Sequence, residues 1–200
     1  RIFLSGTIGD IEIYRDELGL PESNTAFIKV DYSSFPLSNR PIYTGKVGGK
    51  LSYTGKSDAD VMKTVEAVID IMNKYPNKKG LILPYTDSLE KLLVEAIEAV
   101  SPENHARLVQ HDKNAKSRNQ VFNDFDSGSS NQVLVSTYAN QGYDGKSVDF
   151  CIILKTPFPA MGDVRTAIKM KENPSWYKMK TANEITQMLG RVVRSPTDVG

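Results

Sequence analysis

Apolar residues recur at helical spacing over two stretches of the chain. In Ala59–Tyr75 they are Val61, Val65, Val68, Ile69 and Met72, and in Ser88–Val100 they are Leu89, Leu92, Leu93, Ala96 and Ile97. A third helical stretch, Asn114–Phe125, is more polar. Between the helices lie short runs of β-type residues at Gly80–Pro84, Arg107–Gln110, Gln132–Thr137 and Val148–Leu154, with an earlier one at Ala26–Tyr32. The apolar strands among them imply a sheet covered on both faces. Asp87 with Glu90, and Thr181 with Glu184, have capping-box spacing and predict two helix starts. Repeated β-α-β order predicts an α/β fold with a mainly parallel sheet and right-handed crossovers.

Two segments break this rhythm. Asp31–Lys56 is rich in Ser, Tyr, Gly and Pro and predicts a long excursion without an element. Pro157–Tyr177 carries three prolines before Trp176 and Tyr177, and it too reads as a loop. Loops of this length in a small domain are often functional. With 200 residues the expectation is one domain over 1–200, whose first 25 residues form a junction with a preceding part. The start at Arg1 without a methionine, and the ending in Asp198-Val-Gly200, suggest a piece of a longer protein.

Net charge is only +1, but it is unevenly spread: Lys155–Arg194 carries +5 and the remainder −4. That asymmetry suits a nucleotide or nucleic-acid surface without requiring one. One cysteine, Cys151, allows no internal disulfide and no metal cluster. It lies in a predicted buried strand and reads as an inert core thiol in a reducing, cytoplasmic compartment (nucleoid or nucleus, by organism). His105 and His111 lack metal-ligand spacing and are expected at the surface, so no metal site is predicted. No apolar run approaches the roughly 18 residues of a membrane span, and no membrane partner is expected.

The chemistry concentrates near the end. On a continuous helix Gln187, Arg191 and Arg194 fall at i, i+4 and i+7 and share a face, while Ile185, Met188, Leu189, Val192 and Val193 would face a core. Gly190 leaves room beside the arginines at a helix-propensity cost of about 1 kcal/mol. An amide and two guanidinium groups on one face suit a phosphate. A solvated basic face on a terminal helix fits the same spacing.

Gly55-Lys-Ser57 resembles the end of a phosphate-binding P-loop, but Lys50 stands where that loop needs glycine, and Ser57 is explained as the cap of the following helix. The loop after Gln132–Thr137 is different. Ligands collect at the carboxyl ends of strands in open α/β sheets, and Gly142 and Gly145 permit tight or left-handed backbone around Asp144. Asp144 is expected to meet Arg191 and Arg194 at one sheet edge, although Gly-Tyr-Asp-Gly also fits a plain turn.

Taken in order, these residues resemble the second motor domain of superfamily-two DNA helicases of the DinG/XPD type. Ser5-Gly6-Thr7 resembles motif III, and Phe35-Pro36 with Asn39-Arg40-Pro41 resembles the entry to the second domain. Gly80–Tyr85 with Ser88 and Leu89 resembles motif IV, and Val133–Ser136 through Gly142-Tyr-Asp144, followed by Pro157-Phe-Pro159, resembles motif V. Gln187-x-x-Gly-Arg-x-x-Arg194, with Asp198 and Gly200, resembles motif VI. Gln141 stands where the family usually has Glu.

The resemblance implies a RecA-like three-layer αβα domain that supplies half of an ATP site. It implies that Arg194 is an arginine finger, that Arg191 braces it, and that Gln187 contacts phosphate or the attacking water. Gly142, Asp144 and Gly190 would belong to the nucleotide side. Tyr85, Ser88, Ser136 and Tyr138, with Lys155 weaker, would touch single-stranded DNA. ATP and Mg²⁺ would be held mostly by a first RecA-like motor domain, which in many members also carries an iron–sulfur cluster. The fragment alone would be catalytically silent, and its parent would move 5′→3′. Trp176 and Tyr177 are expected to pack locally rather than stack bases. Two rival readings remain: a non-enzymatic nucleic-acid-binding module of the same fold, and a motor acting on RNA.

Overall fold

A computed structural model describes the chain apart from residues 1, 31, 33–34, 45–46, 53–55, 111–116, 146–147 and 200, and apart from the side chain of Gln141. The chain divides into two compact units, one of Phe35–Lys155 with Leu189–Gly200 and one of Arg1–Ser34 with Thr156–Met188. Each is described by itself.

The first of these, the sheet unit, carries β1 (Gly80–Leu83), β2 (Leu108–Gln110), β3 (Val133–Val135) and β4 (Phe150–Ile153). They form a parallel sheet in the order β2-β3-β1-β4, with Gly80 opposite Val133 and Phe150. Ile82, Val133, Val135 and Phe150 pack with Val61, Val65, Val68 and Met72 of α2 (Asp58–Lys74) and with Leu93, Val94 and Ile97 of α3 (Asp87–Val100). Each such side chain, fully buried, contributes about 1.5–3 kcal/mol. Leu81, Leu83 and Leu134 alternate to the opposite face and are buried too. Helix α5 (Arg118–Ser127), with Val121, Phe122 and Phe125 buried, packs beside β2. The short helices α4 (Pro102–His105) and α6 (Ala139–Gly142) lie in connections. The result is the predicted α/β architecture, RecA-like, with a parallel sheet flanked by helices.

The predicted elements of this unit are present, with shifted ends. Ser57 caps α2 through a capping box with Asp60, as expected for the false P-loop; Gly55 lies outside the described residues. In α3 the cap is Thr86 rather than Asp87, and it accepts from the Leu89 amide. Helix α5 begins at Arg118 behind the Ser117 cap, and Asn114–Lys116 lie outside the described residues. Strand β3 is shorter than predicted; the Ser136 amide still donates to the Ile82 carbonyl at 3.2 Å, and its hydroxyl accepts from the Tyr138 amide where the loop begins.

The helical unit departs further from expectation. It holds α1 (Ile11–Glu17), α7 (Val164–Glu172) and all but the last residue of α8 (Pro174–Leu189). Ala26–Tyr32 forms no strand among the described residues. It has β propensity but pairs with no strand among the described residues, and Ile28 is 89% exposed. Pro157–Tyr177 is not a loop throughout, because its prolines fall outside helix interiors. Asp163 caps α7 by accepting from Arg165 and Thr166, and Pro174 opens α8 where a missing N–H is tolerated. Thr181 and Glu184 are therefore interior, with the Thr181 hydroxyl donating to the Tyr177 carbonyl at 3.0 Å.

Trp176 and Tyr177 pack locally. The Lys169 and Lys180 ammonium groups lie 4.9 and 5.9 Å from the Trp176 ring centroid, and Tyr177 stacks on Phe158. Both lysines pair with Glu17 at 3.1 Å. Burial pushes the Glu17 carboxyl up, but the hydrogen bonds from Lys169 and Lys180 outweigh it and hold the group below the usual glutamate value.

Candidate functional site

The loops that follow β1 and β3 leave adjacent strands at the same sheet edge and are tied together. Asp87 accepts from the Thr137 hydroxyl at 2.8 Å, and Glu90 accepts from the Thr137 amide at 3.1 Å. The two acids with capping-box spacing thus bridge to the next loop instead of closing a box on their own helix. Around this bridge the structure gathers Tyr85, Ser88, Ser136 and Tyr138. Tyr85 has φ 74°, a left-handed conformation that strains a bulky residue. Ser88 is exposed, with its hydroxyl 3.1 Å from that of Thr86. Ser136 is only 1% exposed. The Arg118 guanidinium lies 4.0 Å from the centroid of the Tyr138 ring, at the start of α6.

Beyond α6 the loop meets the end of the chain. Arg194 donates through Nη1 to Asp144 Oδ1 at 2.6 Å and through Nη2 to the Tyr143 carbonyl at 2.9 Å. Arg191 donates through Nη1 to the same carbonyl at 2.5 Å and through Nη2 to that of Asn140 at 3.1 Å. The structure therefore joins Asp144, Arg191 and Arg194 in one cluster. The side chain of Asp144 is 95% exposed and that of Arg194 22%, so one end of the ion pair stands in solvent. Asp198 holds the Arg194 backbone, accepting at 2.8 Å from the amides of both Arg194 and Ser195.

The route to this cluster is not a helix face. Helix α8 stops at Leu189, and Gly190, Arg191 and Val192 form a turn, so the i, i+4, i+7 pattern does not extend to the arginines. Their alignment comes from carbonyl acceptors in the Asn140–Tyr143 segment, which are about fifty residues away in sequence. Gly190 is exposed in that turn. Gln187, in the helical unit, donates from Nε2 to the Thr7 hydroxyl at 3.2 Å, which brings the first and last motif-like segments of that unit together.

The two loop glycines differ. A side chain at Gly142 would meet only Phe122 at 3.9 Å and Arg118 at 4.0 Å, so neither space nor backbone demands glycine there. At Gly145 it would collide with the Asp126 carboxylate and the Tyr143 ring. Neither adopts a left-handed conformation.

Sequence reasoning gave the predicted helix α5 and Tyr143 no part in the site. Arg118, Phe122 and Phe125 fall at i, i+4 and i+7 and line the back of the loop, a stripe legible in the sequence had α5 been given its place. Tyr143 is fully buried against Phe122 and Phe125. Its hydroxyl donates to Asp126, and burial followed by that carboxylate drives its pKa far up. Cys151 is the inert thiol expected of β4, with burial pushing its pKa up to about 12. His105 is half-buried and His111 lies outside the described residues. Among the described residues no three His, Cys, Asp or Glu groups gather as a metal would need, and no helix is long and apolar enough to cross a membrane.

Residues 68–200 match the family model of the helicase C-terminal domain. No curated protein matches the chain. The family match spans well over half the sequence, and the chain belongs to the helicase C-terminal domain family.

Proposed function

We propose that this helicase C-terminal domain is the second motor half of an ATP-dependent DNA helicase of the DinG/XPD type, with Arg194 as its arginine finger. The observation that carries the reading is the cluster of Arg191, Arg194 and Asp144 around the Tyr143 carbonyl. Phosphoryl transfer is catalysed chiefly by positioning and by charge placed on the transferring group, and a guanidinium supplied across a domain interface suits that need. The Arg194 pair with Asp144 is solvent-screened on its acidic side, so a γ-phosphate can exchange for the carboxylate at little cost. Arg191 braces the same carbonyl. Gly190 leaves the turn open beside the arginines, and Gly142 closes the short helix before Asp144. Gln187 takes the phosphate or water contact that the resemblance implies.

The resemblance assigns Mg²⁺ and the β/γ-phosphates mostly to a first RecA-like motor domain. Assembly of the site from two halves makes hydrolysis depend on domain closure. Tyr85, Ser88 and Tyr138 form the single-stranded DNA track at the sheet edge, held through phosphate and stacking contacts with little sequence preference. Ser136 supports that track from behind through its bond to the Tyr138 amide. Translocation is 5′→3′, as in the family.

The deciding experiment is ATP hydrolysis by the protein carrying both motor halves, with and without single-stranded DNA or RNA. Arg194→Ala lowers the DNA-stimulated rate about 10³-fold with folding and DNA binding retained. An equal rate in the variant removes the finger. No hydrolysis in the parent protein favours the binding module, and equal stimulation by RNA favours the RNA motor.

A further inference from the structure

We infer that Tyr143 and Asp126 are positioning residues for the arginine finger, a role that rests on the finger reading of Arg194. Arg191 and Arg194 are held by the loop that follows β3. Both converge on one backbone carbonyl, that of Tyr143, at 2.5 and 2.9 Å, and the Arg194 guanidinium also stands 5.5 Å from the Tyr143 ring centroid. The place of that carbonyl decides where the two guanidinium groups point.

Three contacts with α5 fix it. The Tyr143 ring meets Phe122 edge-on at 5.2 Å and Phe125 at 6.0 Å, and its hydroxyl donates to Asp126. The ring contacts set the depth of the side chain but leave it free to tilt. The hydroxyl bond stops the tilt, and through it the rotation of the peptide that carries the carbonyl. Asp126 is itself held. The Lys79 ammonium donates to the Phe125 carbonyl at 2.5 Å and the Asp126 carbonyl at 3.2 Å, and it lies 4.7 Å from the Phe125 ring centroid, closing the end of α5. Gly145 lets the loop pass directly over the Asp126 carboxylate, where any side chain would displace it. A chain of contacts thus runs from Lys79 beside β1, through the end of α5, to the arginines. Tyr143 and Asp126 act through Arg191 and Arg194.

The test measures kcat and KM for ATP in the protein with both motor halves and single-stranded DNA present. Tyr143→Phe keeps the ring and loses only the hydroxyl bond; it lowers kcat about tenfold with KM near the parent value, because a displaced finger weakens the transition state rather than ground-state binding. Asp126→Ala produces the same loss, and Asp126→Asn, which keeps an acceptor, recovers most of it. In an Arg194→Ala background Tyr143→Phe causes only a small further loss, through Arg191, since the finger it positions is gone. Full additivity of the two substitutions overturns the positioning role, as does a kcat within twofold of the parent for both Tyr143→Phe and Asp126→Ala. A parent-like rate in Arg194→Ala alone refutes the finger itself, and the positioning role falls with it. That outcome is read from a variant in which Tyr143 is untouched, so the two failures are distinct. Circular dichroism melting keeps a folding defect in Tyr143→Phe from being mistaken for either, and in that case the Asp126→Ala and Asp126→Asn pair decides between positioning and its absence.

Discussion

Arg107 and Arg194 belong to the same sheet unit and have opposite fates. Arg107 directs all five of its N–H groups to acceptors: the carbonyls of Asn131, Met72, Tyr75 and Lys78, and the Asn104 side chain. It ties the end of α2 to the segments that lead into β1 and β3, and burial lowers its pKa. Arg194 has two partners through its terminal nitrogens, one of them the exposed Asp144, and its buried Nε meets no acceptor among the described residues. A guanidinium whose donors are all satisfied, chiefly by backbone carbonyls, is a structural tie. One left half-used beside a solvated carboxylate can exchange that carboxylate for another anion. Residue type does not separate the two; the acceptors do.

The sharpest way to break this comparison is to truncate each arginine and read both activity and stability. Arg194→Ala is expected to lose about 10³-fold in DNA-stimulated ATP hydrolysis while its urea midpoint stays near that of the parent. Arg107→Ala should show the reverse. Leaving several carbonyls without a donor destabilises by about 2–4 kcal/mol, seen as a lower urea midpoint, while the rate per folded molecule is unchanged. If Arg107→Ala also abolished hydrolysis in the folded protein, the division between tie and finger would fail.

Smaller effects sharpen the picture at the track and in the helical unit. Tyr85→Gly relieves the left-handed strain and is expected to stabilise by about 1 kcal/mol while weakening single-stranded DNA binding, measured by denaturation and by fluorescence anisotropy. A loss on both measurements would mean that the Tyr85 ring is needed for packing. The smallest effect is with pH. The folded-state pKa of Glu17 lies below the ordinary glutamate value of 4.5, so its contribution is fully present above that value and is lost as pH falls through the folded one. The single tryptophan, Trp176, sits beside the Lys169 and Lys180 partners and reports on this unit. Its fluorescence-detected melting should fall at acid pH in the parent and change less in Glu17→Gln.

The apolar rhythm of α2, α3 and the four strands was readable because a buried face imposes its period on the residues that form it. The same logic misled at Ala26–Tyr32, where β propensity is present but no neighbouring strand exists to satisfy it among the described residues. Pro157–Tyr177 has the proline content of a loop, but Pro157 and Pro159 precede α7 and Pro174 opens α8, so none interrupts a helix. Asp87 and Glu90 show a subtler limit. Their spacing is that of a cap, but Thr86 fills that role and both carboxylates reach Thr137 instead.

By itself the sequence determined the α/β order, the parallel sheet, the cap at Ser57, and the meeting of the Asp144 loop with the terminal arginines. Each of these follows from local periodicity or from the order of motifs along the chain. Only the tertiary structure decided that α8 ends before Arg191, that Arg107 is saturated, and that Tyr143 carries the carbonyl on which both candidate arginines converge. The physical reason is that a guanidinium is directed by its acceptors. Here those acceptors are backbone carbonyls, which every residue possesses, so nothing in the local pattern of side chains marks the ones that will be used.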